Sequence, residues 1–141
     1  MIAIIETPID AMAVADHVRS NLAGAVCLFL GTVREMTGDR QTSSLDYEAY
    51  PVMALKKMEE LADEARAKWP LIEIALVHRV GHLDLGEIAV AVAVSTPHRG
   101  DSFAACQWIM DTFKQVVPIW KKEIWADGSE EWVHPGLTPP P

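Results

Sequence analysis

The sequence has little positive charge and no long apolar run, and each shortage argues against a class of protein. Its 141 residues include 12 Lys and Arg against 20 Asp and Glu, a formal net charge of -8. Sequence-independent binding to nucleic acid requires many basic residues to neutralise phosphates. The longest apolar stretches, residues 25–30 and 88–94, fall far short of the ~20 residues that cross a bilayer. We therefore expect no nucleic-acid partner and no membrane span.

Cysteine is also scarce. Cys27 and Cys106 lie within apolar stretches and form no C-x-x-C or Cys/His ligand spacing, so we expect two reduced core thiols and no metal site. The first ten residues contain no Lys or Arg and so lack the basic start of a secretory signal. The expected location is the cytoplasm.

Common catalytic and nucleotide-binding motifs are missing as well. The chain has no G-x-x-x-x-G-K-[ST] or G-x-G-x-x-G sequence, and no G-x-S-x-G turn. Neither cysteine has a histidine close in sequence to activate it. We predict no bound cofactor and a site without an obvious nucleophile of its own.

The composition that is present fits one globular domain. Half of the residues are hydrophobic and 23% are charged, and a chain of this length can bury a sizeable core. We predict a single domain over residues 1–134 and a Pro-rich tail over residues 135–141, because prolines disfavour both helix and strand.

Hydrophobic periodicity predicts an α+β fold. Strands are expected at residues 2–5, 25–33, 45–50, 71–80, 87–95 and 119–125, and helices after Thr7-Pro8, between Pro51 and Pro70, and over residues 100–117. The polar segment 35–44 is expected to be a loop. Residues 87–95 are apolar on both faces, which places that strand centrally in a covered sheet. The order of elements predicts a layer sandwich with a largely antiparallel sheet.

Basic residues are concentrated in one region, between His98 and Glu123. Four of them stand there against three acidic residues, whereas acidic residues dominate the remaining chain. His98 and Arg99 precede a predicted helix, where free backbone N–H groups and the helix dipole favour an anion. Alternatively, Arg99 pairs locally with Asp101 and His98 only ends a strand.

Lys114 lies on the apolar side of the predicted helix. At about 100° per residue it falls on a stripe with Phe103 and Met110. A buried lysine needs an anionic partner or loses its proton, which makes it a candidate catalytic group. Alternatively, its ammonium extends into solvent at the helix C-terminus, where a cation is favoured.

Strand alternation separates the charged residues that follow. It places Lys121 and Glu123 on one face and Lys122 on the other, so Lys121 and Lys114 can face one cavity. The alternative is an edge strand that lysines protect from pairing. Arg34, after the strand at 25–33, is a third candidate phosphate ligand or a solvated loop charge. His78 shares a face with apolar residues 72, 74 and 76, which favours a core histidine.

Several blocks together match one family pattern. They are Gly31-Thr-Val-Arg34, Leu45-Asp-Tyr-Glu-Ala-Tyr50, Met53-Ala54, His78-Arg-Val-Gly81, His98-Arg99, and Lys114 followed by Val117-Pro-Ile-Trp-Lys-Lys-Glu123 and Asp127-Gly128. In these blocks the sequence resembles the large, catalytic subunit of molybdopterin synthase, in register from about residue 24 to residue 132. The V-P-I-W-K-K-E block with the upstream H-R and K is the most specific part.

The resemblance implies an α/β-hammerhead fold, a homodimer at the centre of a heterotetramer, and a sulfurtransferase activity. A small ubiquitin-like sulfur-carrier subunit would insert its C-terminal Gly-Gly thiocarboxylate into a pocket of this chain. Cyclic pyranopterin monophosphate would then receive two sulfurs as a dithiolene and become molybdopterin. The attacking sulfur would arrive on the partner, and clustered Lys and Arg would reduce the repulsion between two anionic reactants.

The resemblance also implies roles for individual residues. Lys114 would be the principal catalytic lysine and Lys121 would assist it. Substrate binding would involve Thr32, Val33, Arg34, His98, Arg99, Lys122 and Glu123, with His98 and Arg99 contributed by the neighbouring protomer, while Phe29 and Met110 would shape the pocket. The competing interpretation is a non-enzymatic dimeric module that binds a phosphorylated small metabolite.

Overall fold

Two sheets and three helices form residues 1–133, the part of the chain that the computed structural model describes. The strands are β1 (Ile2–Ile5), β2 (Ala25–Thr32), β3 (Met36–Thr37), β4 (Arg40–Ala49), β5 (Glu73–Arg79), β6 (Gly81–Asp84), β7 (Ile88–Thr96), β8 (Ile119–Trp125) and β9 (Glu130–Val133). The helices are α1 (Ala11–Val18), α2 (Pro51–Lys68) and α3 (Arg99–Val116). The predicted tail, residues 135–141, lies outside the described residues, as does residue 134.

The first sheet has the order β1-β5-β7-β2 and is covered on both faces. Only β1 and β5 pair in parallel, and the other neighbours are antiparallel. Helices α2 and α3 pack on one face through residues such as Leu61 and Ile109, and α1 packs on the other through Val14 and Val18. The central position predicted for the strand at 87–95 is therefore confirmed, since apolar side chains on both of its faces meet helices.

The second sheet is antiparallel, with the order β3-β4-β8-β9 and β6 also paired with β4. The register of β4 against β8 shifts between Thr42 and Ser44, because β4 carries one extra residue there. The predicted loop at 35–44 is wrong: it is a hairpin of β3 and the start of β4, turning at Gly38 with φ of +62°. Strands β6 and β9 were not predicted.

Two helix boundaries follow their sequence signals and one does not. Helix α2 has Pro51 in its first turn and ends before Pro70, as expected. Helix α1, in contrast, begins after Asp10 rather than Thr7, because the Asp10 carboxylate accepts a hydrogen bond from the Ala13 backbone N–H at 3.0 Å. The α+β fold with mostly antiparallel sheets is confirmed.

Truncation of the core side of α2 should destabilise the fold strongly. Leu61 is 2% exposed within the core between α2, α3 and the first sheet. We expect Leu61→Ala to lower the free energy of unfolding by about 2–5 kcal/mol, because it removes buried methyl groups and leaves a cavity. Val52, on the same helix, is 85% exposed, so Val52→Ala should change that free energy by less than about 0.5 kcal/mol. Urea unfolding of both variants measures the difference, and equal values would contradict the packing described.

Candidate functional site

A cavity of about 320 Å³ opens between the two sheets and the last turns of α3. Strands β2, β4, β5, β7 and β8 contribute to its wall, so residues distant in sequence meet there. Seven of the predicted site residues line it: Phe29, Thr32, Arg34, Met110, Lys114, Lys121 and Glu123. Three of these seven are cations, which makes the cavity a candidate site for an anionic ligand.

Lys114 reaches the cavity from the last turn of α3, but it is not buried. The buried face of the helix runs through Ala105, Ile109 and Phe113, whereas Phe103, the reference for the predicted stripe, is 63% exposed. Of the two alternatives for Lys114, the structure therefore supports the one in which its ammonium extends into solvent. Lys114 lies at the boundary of the apolar face, one turn after Met110. Its position at the C-terminus of α3 is one where the helix dipole stabilises a cation.

Lys121 and Glu123 lie on one face of β8, as strand alternation predicts. The Lys121 Nζ atom is 3.7 Å from Oε2 of Glu123, and Glu123 is only 2% exposed. The hydroxyl of Thr42 donates a hydrogen bond to Oε1 of the same carboxylate, and the Thr37 hydroxyl lies 3.5 Å from that oxygen. The buried carboxylate is thus held from β3 and β4 while it faces the lysine.

Lys122 lies on the opposite face of β8, away from the cavity. Its Nζ atom is 3.5 Å from Asp46 and 3.6 Å from Glu130, two carboxylates that flank it on the neighbouring strands. Lys122 therefore does not line the cavity, contrary to the prediction. Because β8 pairs with β4 on one side and β9 on the other, the alternative of a lysine-protected sheet edge is wrong too.

Among the described residues, Arg34 and Lys114 are cations without a carboxylate partner. Neither forms an ion pair with another residue in the range 1–133, in contrast to Lys121 and Lys122. Arg34 follows β2 directly, so the end of that strand brings its guanidinium to the cavity wall. Unpaired cations beside a cavity favour an anionic ligand, since a carboxylate, thiocarboxylate or phosphate would supply the missing charge.

Tyr47 and His78 also line the cavity, and the sequence did not single them out as site residues. Burial, together with the charge of Glu123, raises the pKa of Tyr47 to about 12. Burial lowers the pKa of His78 to about 4. The prediction of a core histidine is confirmed by its 4% exposure, yet the ring forms part of the cavity wall. Its neighbours at positions 74 and 76 gave a correct signal for burial and none for the cavity.

Three other predicted residues do not reach this cavity within one chain. The Val33 N–H donates to the Glu87 carbonyl at 3.0 Å and the Val33 carbonyl accepts from Gly86, so this backbone is already paired. His98 and Arg99 lie at the other end of α3. At 1.5 Å per residue, the backbones of Arg99 and Lys114 are about 22 Å apart. No ion pair between Arg99 and Asp101 occurs among the described residues, so that local alternative is not observed.

Residues 1–133 contain neither a candidate metal site nor a candidate membrane-spanning helix. No group of three or more His, Cys, Asp or Glu side chains within residues 1–133 is arranged to hold a metal ion. Across the same residues, no helix has the length and apolar character needed to span a membrane.

Comparison with known proteins finds relatives that match most of the chain. The chain is 48% identical over 131 residues to the molybdopterin synthase catalytic subunit of Halalkalibacterium halodurans, covering 93% of this chain and 83% of that one. It is 45% identical over 130 residues to the corresponding subunit of Bacillus subtilis, with 92% and 82% covered.

Solved structures extend the agreement to three dimensions. The crystal structure of molybdopterin synthase from Staphylococcus aureus matches with a TM-score of 0.87 at 42% identity, covering 92% of this chain and 94% of that one. A complex of subunits 1 and 2 of the molybdopterin-converting factor from Helicobacter pylori has the same fold, with a TM-score of 0.75 at 18% identity over 96% and 90% of the two chains. The MoaE protein family matches residues 4–116, and with these relatives it establishes that the chain belongs to the MoaE family of molybdopterin synthase catalytic subunits.

Proposed function

We propose that the chain transfers sulfur from the C-terminal thiocarboxylate of a small carrier subunit to cyclic pyranopterin monophosphate, forming the dithiolene of molybdopterin. The observation that carries the proposal is the group of three cations, Arg34, Lys114 and Lys121, that line the same cavity. Both reactants are anions, so their approach is favourable only where fixed positive charge offsets their repulsion. Neither Cys27 nor Cys106 is a lining residue, and the proposal assigns the attacking sulfur to the carrier.

Each cation has a separate role in this proposal. Lys114, unpaired and exposed at the cavity, stabilises negative charge that develops as the thiocarboxylate reacts. Lys121, held by Glu123, assists by stabilising charge or by transferring a proton. Arg34 binds the substrate phosphate, for which a planar guanidinium has matching geometry.

The carrier is proposed to be a small ubiquitin-like protein that ends in Gly-Gly. Relatives are named catalytic subunits, and the Helicobacter pylori structure holds two different subunits, which supports a partner for this chain as well. A narrow Gly-Gly end suits a cavity of about 320 Å³, because it has no side chains to exclude the second reactant.

A second copy of the chain is proposed to complete the site. His98 and Arg99 lie too far from Lys114 to share a ligand with it inside one chain, but a neighbouring protomer can present them. An exposed surface suitable for such contact exists: β2 is an edge strand of its sheet, and Val26 and Phe103 are 45% and 63% exposed.

The shared site can be tested by mixing two inactive variants. If Lys114 and Arg99 act from different protomers, Lys114→Ala and Arg99→Ala dimers are each inactive. Random reassembly of equal amounts should then restore roughly a quarter of wild-type sulfur transfer, because half of the dimers are mixed and one of their two sites is intact. No recovery, with exchange of protomers verified by mass spectrometry, would contradict a site shared between copies.

Reconstitution tests the function itself. The purified chain, a thiocarboxylated carrier and cyclic pyranopterin monophosphate should yield a dithiolene product, detected by mass spectrometry. A carrier ending in an ordinary carboxylate is the control and should yield none. Binding of the pyranopterin without turnover would instead support the non-enzymatic module.

A further inference from the structure

His78 is a buried polar residue on the cavity wall to which the proposed sulfur transfer assigns no role. Three contacts fix its ring. Nδ1 lies 2.7 Å from the Arg79 backbone carbonyl, Phe113 stacks on one face with ring centroids 5.6 Å apart, and Tyr47 meets the ring edge-on at 4.9 Å. The imidazole therefore has one orientation.

These contacts also determine which nitrogen carries the proton. A carbonyl oxygen only accepts hydrogen bonds, so Nδ1 carries the hydrogen and donates it to Arg79. Burial opposes a second proton and keeps the ring neutral near pH 7. Nε2 is consequently a bare acceptor that points away from the Arg79 carbonyl. No residue in the range 1–133 donates a hydrogen bond to it, and His78 lines the cavity, so this acceptor is available to a ligand there.

The other charged groups of the cavity are less available as acceptors. Arg34, Lys114 and Lys121 offer only donors. The Glu123 carboxylate already faces Thr42 and Thr37 through Oε1 and Lys121 through Oε2. A ligand whose anionic group lies against the cations still needs an acceptor for its N–H or O–H groups, and His78 offers one.

We infer that Nε2 of His78 accepts a hydrogen bond from an N–H or O–H group of the substrate, and that this contact selects a donor-bearing heterocycle over a bare phosphate. The inference rests on the proposed function, in which the substrate carries a nitrogen-rich pterin ring. His78 is thus a substrate-binding residue that positions the ring end of the molecule while the cations hold the phosphate.

Two substitutions separate the acceptor from the shape of the ring. His78→Phe keeps a ring for stacking on Phe113 and removes the acceptor, whereas His78→Gln keeps an acceptor near the position of Nε2. We expect His78→Phe to weaken binding of cyclic pyranopterin monophosphate by about tenfold or more, with the affinity for inorganic phosphate unchanged. His78→Gln should recover part of the loss. Equal loss for both ligands, or no loss for the pterin, would overturn the inference.

A measurement on the unmodified protein keeps the test independent of folding of the variants. With ¹⁵N-labelled histidine, the Nε2 resonance of His78 should be that of an unprotonated nitrogen at pH 7 and should shift upfield when the pyranopterin binds, but not when phosphate alone is added. An Nε2 resonance that stays unchanged in the saturated pyranopterin complex would refute the contact. Wild-type protein that neither binds nor converts the pyranopterin would overturn the proposed function, whereas normal turnover with an unchanged resonance would overturn this inference alone.

Discussion

Replacement of Lys114 by Ala is expected to lower sulfur transfer by about 10²-fold or more while the carrier subunit remains bound, since removing one group that stabilises developing charge typically has an effect of this size. Lys114 lines the cavity and has no carboxylate partner among the described residues, so its full charge is available to the reactants. It is also exposed, and its loss should therefore leave the fold intact.

Lys68 provides the matched control for Lys114. Both residues lie in the last turn of an 18-residue helix. The Lys68 Nζ atom lies 5.3 Å from the centre of the Trp108 ring, away from the cavity. Lys68→Ala should keep wild-type turnover. Dithiolene formation is measured in single-turnover assays and carrier affinity by calorimetry. Retained turnover in Lys114→Ala, or loss of carrier binding in step with turnover, would refute its catalytic assignment.

Glu123→Gln is expected to lower kcat by about tenfold or more with a smaller change in KM, because even a small displacement of a catalytic group is costly. The Glu123 carboxylate forms an ion pair with Lys121 and is itself held by Thr42. The amide is similar in shape but uncharged, so Lys121 loses the attraction that keeps its ammonium at the cavity.

Glu130→Gln is the corresponding control on the other face of the sheet. Glu130 lies 3.6 Å from Lys122, nearly the same separation as in the Lys121 pair, yet it is largely exposed and away from the cavity. Its substitution should leave kcat unchanged, as exposed ion pairs contribute little. A Glu123→Gln protein with wild-type kcat and an unchanged unfolding midpoint would contradict a positioning role for the carboxylate.

Local patterns predicted much of the fold. The two-faced apolar run identified β7 as a central strand, and the Pro51 and Pro70 signals bounded α2, because each of these features depends on neighbouring residues alone. Alternation along β8 correctly put Lys121 with Glu123. Strand β3 and the first half of β4 escaped prediction, since polar side chains obscure their alternation and their pairing depends on partners far away in sequence.

The site was harder to predict in two respects. Helical periodicity predicts that Phe103 lies on the buried face of α3, but the face that a helix buries is set by its tertiary partners, and this residue is exposed. The sequence around His78 carried a signal for burial only, because whether a buried side chain meets a neighbour or a cavity depends on elements from the whole chain.

The bulge in β4 determines which of its side chains can hydrogen-bond to Glu123 on β8. Leu45 and Tyr47 face the cavity opposite Glu123 and Lys121, and in an unbroken two-residue repeat Thr42 would face the other way. The extra residue reverses that parity, so Thr42 lies opposite Trp125 on the cavity side and reaches Glu123. The bulge, in which two residues of β4 lie opposite one of β8, thus keeps Thr42 where it anchors the buried carboxylate. If Ser43 were paired regularly instead, the Thr42 hydroxyl would face outward, although no residue of the cavity would have changed.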